Sequence, residues 1–220
     1  PESPGFPRHR SGLLLMADAR FWDERYAGAD YAYGERPNAF LAALGPRFRA
    51  GERALVPGDG EGRNGVFLAE RGLLVETLDL SPTGVAKAQA LAARRGVALD
   101  ARVANVLTWN WPLAAYDWIA LLYLHLPQDQ RRALHAHAIA ALKPGGRIVL
   151  EAFTPAQLDR QREGARGGPR EAAMLYAPQD LRTDFAALDV ELCEEVEDDM
   201  ASGALHVGRG AVVRLVARKP

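Results

Sequence analysis

Cysteine is nearly absent. Cys193 is the only one, so no disulfide can form within the chain, which fits a reducing, cytoplasmic compartment. Charge of one sign is absent too: 27 basic residues stand against 28 acidic ones, for a net charge of −1. That balance gives no general attraction to nucleic-acid phosphates or anionic membranes. No apolar run approaches membrane-spanning length. Leu13-Leu14-Leu15-Met16 is too short for the core of a signal peptide and lacks a clear cleavage motif. Repeats, a linker and a second domain are also missing. What remains is a chain of 220 residues with ordinary apolar content, suited to one domain that buries its own core.

The organising stretch is Ala54-Leu55-Val56-Pro57-Gly58-Asp59-Gly60-Glu61-Gly62-Arg63-Asn64, followed by Val66-Phe67-Leu68. A short apolar strand that turns through glycines into a helix brings backbone N–H groups and a helix N-terminus against a ligand. One strand later Asp79 follows, 21 positions after Gly58. An acidic side chain at that strand end can accept both hydroxyls of an adenosine ribose. Its alternative is only to precede a helix, with Ser81 as N-cap and Pro82 in the first turn. The nicotinamide fingerprint wants a third glycine where Arg63 stands, so a different adenosine cofactor is favoured.

Together with Leu142-Lys143-Pro144-Gly145-Gly146, the glycine loop and Asp79 resemble the class I methyltransferases that use S-adenosyl-L-methionine. Phe21-Trp22-Asp23-x-Arg25-Tyr26 and Tyr33-Gly34-x-x-Pro37-Asn38-x-Phe40-Leu41 resemble the small-molecule branch that includes tellurite-resistance and thiopurine-type enzymes. The resemblance runs over about residues 20 to 218. It implies an α/β fold, a Rossmann-like doubly wound sheet of seven strands, mostly parallel with an antiparallel C-terminal hairpin. It also implies that Gly58, Asp59, Gly60, Gly62, Asn64, Asp79, Leu80, Asn105, Val106, Leu122 and Trp22 bind the cofactor. Asn105 stands where the family usually has aspartate, and keeps an oxygen acceptor for the adenine amino group. The competing reading is an asparagine that merely turns the chain. Asp59 and Pro57 depart from the family pattern, and proline removes an N–H at the loop's entry.

The element order expected from pattern is a helix over 17 to 27, a helix capped by Asn38, then strands and helices alternating from 53 to 95, with Gly96 as a C-cap. Ala101 to Ala104 reads as a weak third strand and Tyr116 to Tyr123 as a buried fourth. A helix runs from Pro127 to Leu142, and Arg147 to Phe153 is the fifth strand. Arg162 to Arg170 reads as a solvated loop or, alternatively, a substrate lid. A helix over 178 to 187 precedes strands from Val190 to Val196 and Leu205 to Val216. Residues 1 to 16 are expected to be a disordered extension, with Met16 as natural start left open, and 17 to 220 a single domain with an N-terminal helical lid.

Trp22 and Tyr26 lie four apart and share a helix face. They either cover the sheet or close over the cofactor, where an aromatic face can hold a sulfonium. Trp109 and Trp111 read as partial core cover or, alternatively, as facing the substrate. His135 and His137, two apart on a helix, point to different faces and make a poor metal pair, and no metal is expected. Methyl transfer needs position more than acid–base help, so the candidates for a proton acceptor are His206, His125 and Tyr123. The resemblance favours His206, because the branch tends to carry histidine in its last hairpin. The partner expected is a small-molecule methyl acceptor, not a nucleic acid: Tyr123-Leu124-His125-Leu126-Pro127 is unlike the Asn-Pro-Pro-Tyr sequences used on flipped bases. Two rivals are a protein that holds the cofactor without turnover, and a nicotinamide oxidoreductase.

Overall fold

The computed structural model describes residues 18–203 and 205–220, so the expectations for residues 1 to 16, Met16 included, lie outside the described residues. Seven strands among them form one sheet: β1 (Arg53–Pro57), β2 (Leu74–Asp79), β3 (Asp100–Val103), β4 (Tyr116–Leu122), β5 (Leu142–Phe153), β6 (Asp189–Ser202) and β7 (His206–Arg218). Their order is β3-β2-β1-β4-β5-β7-β6, parallel from β3 to β5 and antiparallel at β7 and β6. This is the seven-stranded arrangement expected.

The helices are α1 (Ala19–Tyr26), α2 (Ala39–Ala43), α3 (Arg63–Glu70), α4 (Pro82–Arg95), α5 (Gln128–Ala141), α6 (Gln157–Arg162) and α7 (Pro178–Asp184). Local chemistry sets their ends. Asp18 caps α1 through the Arg20 N–H, and Asn38 caps α2 through the Leu41 N–H. Ser81 Oγ accepts from the Gly84 N–H, Pro82 opens α4, and Gly96 ends it in the left-handed conformation.

Alternation along the central strands feeds two apolar layers. Leu55, Ile119 and Leu121 face a layer with Leu134, Ala138, Tyr176 and Phe185. Val56, Trp118, Ala120 and Leu122 face the other, with Leu41, Phe67 and Leu68. Burying one such leucine contributes about 1.5–3 kcal/mol, so both faces of β1 and β4 favour the same register. Trp111 is core cover as expected, with its indole N–H donating to the Val106 carbonyl.

Three expectations are corrected. The Lys143-Pro144-Gly145-Gly146 turn is not a connection before the fifth strand but an outward bulge within β5: Tyr116 pairs with Leu142 and Trp118 with Arg147. Residues 178 to 187 hold a shorter helix that stops at Asp184, whose carboxylate turns inward to Arg131 and His135. The C-terminal hairpin is far longer than Val190 to Val196 paired with Leu205 to Val216. Its outer arm, Glu194 to Asp199, is acidic and lacks apolar alternation, but cross-strand pairs such as Arg209 with Glu197 at 2.6 Å hold it.

Candidate active site

The sheet reverses its strand order between β1 and β4, and ligands in open α/β sheets sit at that switch point, beyond the carboxyl ends of the strands. Gly58 leaves β1 there, and a Cβ on it would come within 2.9 Å of Leu124, just past β4. Gly58, Gly60 and Gly62 take φ of 69°, 57° and 89°, a region closed to most side chains, so the loop needs them. Asp79 knits this loop to β2. Its Oδ2 accepts from the Gly60 N–H at 2.7 Å and its Oδ1 from the Ser81 N–H at 2.9 Å. Burial pushes its carboxyl up to about 6, against the pull of those backbone donors. Asp59 faces the start of α3, accepting from the Gly65 N–H at 2.9 Å, and burial pushes it up to about 7.

Two cavities meet at this point. One, of about 80 Å³, is lined by Asp79, Leu80, Asn105 and Val106 among others. The second, of about 310 Å³, is lined by Asp59, Asn64, Leu122, Phe153 and His206, with Arg25, Arg63, Arg166 and Arg170 at its wall. Trp22, Tyr26, Gly58, Tyr123 and His125 line both. Gly60 and Gly62 line neither: they shape the loop from behind, Gly60 against the Tyr26 hydroxyl and Gly62 against Ala88. Asn105 does turn the chain, its Oδ1 accepting from the Leu107 N–H at 2.9 Å, and it lines the smaller cavity as well.

The segment from α1 to Gly34 is fastened over these cavities. Trp22 stacks on Tyr26 with ring centroids 5.7 Å apart. Asp23 accepts from the Ser81 hydroxyl and the Thr83 N–H at the start of α4, and the Ser81 bond holds its carboxyl below the usual range. Lys87 Nζ donates to the carbonyls of Tyr26, Gly28 and Asp30 and to Glu61. Glu61 in turn accepts from the Ala32 N–H at 2.7 Å. Neither Lys87 nor Glu61 stood out in the sequence, because a lysine on a helix and a glutamate in a glycine loop carry no local signal of that contact.

The three candidate proton acceptors differ. His125 is buried with both nitrogens committed: Nδ1 donates to the Met174 carbonyl at 2.7 Å, and Nε2 accepts from the Phe153 N–H at 3.3 Å. It is a neutral imidazole that ties the loop after β4 to its surroundings, pushed down to about 4 by burial. Tyr123 donates its phenol proton to Glu151 at 2.7 Å, and burial holds its pKa well above the usual value. His206 is 6% exposed, and its Nδ1 has no partner among the described residues. Its ring lies among Tyr33, Tyr123 and Phe153, with centroids 4.7, 4.8 and 5.4 Å away. Burial, and then the Arg63 charge, push it down to about 3, so it is neutral at physiological pH.

The Gly- and Arg-rich loop after α6 forms a wall of the larger cavity through Ala165 to Arg170. Gln161 Nε2 donates to the carbonyls of Gly167, Gly168 and Pro169, and Arg166 bridges to Val207 on β7. Among the described residues there is no group of three metal-ligating side chains, and no helix is long and apolar enough to cross a membrane.

Residues 54–146 match the methyltransferase-domain family. The fold is similar to that of a structure concerned with conversion of a disulfide bond into a thioacetal group during echinomycin biosynthesis (TM-score 0.71, 21% identity, 91% of this chain and 92% of that one). It is similar to the N-methyltransferase NodS from Bradyrhizobium japonicum WM9 in complex with S-adenosyl-l-homocysteine (TM-score 0.69, 17% identity, 92% and 98%). It is also similar to TehB from Haemophilus influenzae (TM-score 0.68, 14% identity, 92% and 67%). Sheet order, glycine loop and domain match define the class as far as the fold and domain: residues 54–146 match a methyltransferase domain, set in a seven-stranded sheet of the order β3-β2-β1-β4-β5-β7-β6. The cofactor that the sequence resemblance implies is S-adenosylmethionine. The site fits that group: a glycine-lined backbone at the switch point, a buried carboxylate at the end of β2, and a half-buried tryptophan above both cavities.

Proposed function

We propose that the protein methylates a small-molecule acceptor, with the adenosine of the cofactor in the smaller cavity and its methionine end and the acceptor in the larger. The observation that carries this reading is the shared lining: Trp22, Gly58 and Tyr123 border both cavities where β1 and β4 end. The bound cofactor supplies an electrophilic methyl group on a sulfonium. In this reading Asp79 binds the ribose hydroxyls with lone pairs its backbone bonds leave free, while Leu80 and Val106 flank the adenine and Asn105 reads its edge. Gly58, Asp59, Asn64 and Leu122 line the methionine side, Gly60 and Gly62 set the turn, and Trp22 turns its ring to the sulfonium. His206 offers its unpartnered Nδ1 to an acceptor that must lose a proton. His125 and Tyr123 hold the walls in place rather than taking the proton.

A volume of about 310 Å³, shared with the methionine end, suits an acceptor of modest size and no polymer. The wall is positive. Arg63, Arg166 and Arg170 line it, while Glu61 is paired with Lys87 at 2.7 Å. An acceptor bearing an anionic group is therefore favoured over its neutral isostere. Resemblance to tellurite-resistance and thiopurine-type enzymes supports the small-molecule class, and the location expected is the cytoplasm.

The test is release of S-adenosylhomocysteine over a panel of thiols, amines, hydroxyls and oxyanions, each in anionic and neutral forms. Turnover of small anionic members supports the reading. Cofactor binding with no turnover of any member would favour the non-catalytic alternative.

A further inference from the structure

Glu151, near the end of β5, is 2% exposed and lies behind the wall of the larger cavity. Three parts of the chain converge on it. Its Oε1 accepts from Asn38 Nδ2 at 2.5 Å and from the Tyr123 hydroxyl at 2.7 Å, and its Oε2 accepts from Arg214 Nε at 2.6 Å. Its main-chain carbonyl also accepts from the Tyr123 N–H at 2.8 Å. Tyr123 is thus held at both ends by one residue. It needs holding: its φ is 55°, a left-handed conformation that a bulky side chain rarely adopts and that persists only when its surroundings over-determine it.

Tyr123 borders both cavities, and its ring lies against His206 and Phe153. Asn38 belongs to the entry of the same network. Its backbone N–H donates to Asn64 Oδ1 and its side chain caps α2. Arg214 brings in β7, and also pairs with Asp198 on β6. We propose that Glu151 is a positioning residue for methyl transfer: it locks the strained Tyr123 where the cofactor and acceptor cavities meet, and couples that position to Asn38 and the C-terminal hairpin. The proposal rests on the methyl-transfer reading above for its kinetic consequence, but not for its structural one.

Three donors meet two carboxylate oxygens, so the conservative change is informative. Glu151→Gln offers one oxygen and one NH2. With the oxygen toward Tyr123 and Asn38, the amide opposes the Arg214 donor; reversed, it opposes the Asn38 donor. No orientation satisfies all three donors. The side chain keeps its size, so the surrounding core is little disturbed.

The experiment compares wild type, Glu151→Gln, Tyr123→Phe and the double variant in three readouts: crystal structure, cofactor affinity by calorimetry, and kcat on any acceptor found. Tyr123→Phe removes only a hydroxyl and serves if the glutamine variant folds poorly. Expected for Glu151→Gln is a Tyr123 that leaves the left-handed region and shifts from His206, with kcat lowered by about 10–10²-fold and cofactor affinity little changed, because misplacement near the reacting atoms costs on that scale. The double variant should be no worse than the poorer single one. A Tyr123 that keeps its conformation in Glu151→Gln overturns the proposal, as do losses that multiply in the double variant. A wild type that turns over no acceptor fails the methyl-transfer reading instead, and the Tyr123 conformation still decides the role of Glu151.

Discussion

Tyr33 and His206 lie with ring centroids 4.7 Å apart, joining the segment after the first helix to the last hairpin over one chamber. Gly203 at the hairpin's tip packs so closely on Ala32 and Tyr33 that a Cβ there would run into the Ala32 carbonyl. The larger cavity is therefore roofed by three remote parts of the chain: the α1–Gly34 segment, the loop after α6, and the hairpin. Closing an acceptor away from water strengthens electrostatic contacts inside, which suits a displacement that depends on position.

The Trp22 ring is expected to distinguish charged from neutral ligand. Trp22→Ala should weaken binding of S-adenosylmethionine more than that of S-adenosylhomocysteine, because ring–cation attraction is about 0.5–2 kcal/mol and only the sulfonium can use it. Calorimetry on both ligands reads the ratio. An equal loss for both would make Trp22 a cover for the sheet.

Asp79 should make cofactor binding depend on pH. Its carboxyl is pushed up to about 6, so the ionised form that accepts two ribose hydroxyls is lost as pH falls through that value. Affinity should drop between pH 7 and 5, and Asp79→Asn should flatten that drop while weakening binding by about 1–3 kcal/mol at neutral pH. The sign for stability is opposite. A carboxyl raised on folding favours the native state at low pH and disfavours it once pH exceeds both values, so Asp79→Asn should not lower the melting temperature at pH 8 through charge. An unchanged pH profile in the variant would assign the dependence to Asp59, which is raised to about 7.

Lys87 is expected to hold the segment after α1 shut. It donates to three carbonyls and to Glu61, so Lys87→Met leaves those acceptors without it, at about 1–3 kcal/mol. Limited proteolysis should cut between residues 26 and 34 faster in the variant, and cofactor should restore less protection than in wild type. Equal cutting rates would show that Asp23 and Glu61 suffice.

His206→Ala should fold, since the nitrogen it removes has no partner among the described residues. With an acceptor that must lose a proton, kcat should fall, but by less than the ~10²–10⁴-fold of a base poised near neutral pH, because burial holds His206 down at about 3. With an acceptor already ionised, it should fall far less. Similar losses for both kinds would place His206 in the wall alone.

The strand–loop–helix from Arg53 to Glu70, the strand ending at Asp79 and the Ser81–Pro82 helix start were legible because each is written in adjacent residues: alternation, glycine, cap and proline. The acidic arm of the hairpin was not, because Glu194 to Asp199 has no apolar period and gains its order from partners such as Arg209 and Arg214. Nor were Glu151, Lys87 and Tyr176. Tyr176 accepts from the Leu126 N–H and donates to the Leu124 carbonyl, setting the loop after β4 from a segment 50 residues away. Such groups act through contacts far apart in sequence, and no local pattern announces them. The histidines fell between: their presence near the site could be read, but only packing separates His125, with both nitrogens bound, from His206, whose Nδ1 has no partner among the described residues.

The central claim is that the cofactor's methyl group ends on a small molecule. Following a labelled methyl from S-adenosylmethionine in an extract incubated with the protein, then separating small molecules from protein and nucleic acid, tests it most directly. The account predicts label in the small-molecule fraction, matched by an equal amount of S-adenosylhomocysteine. Label confined to protein or nucleic acid would contradict it.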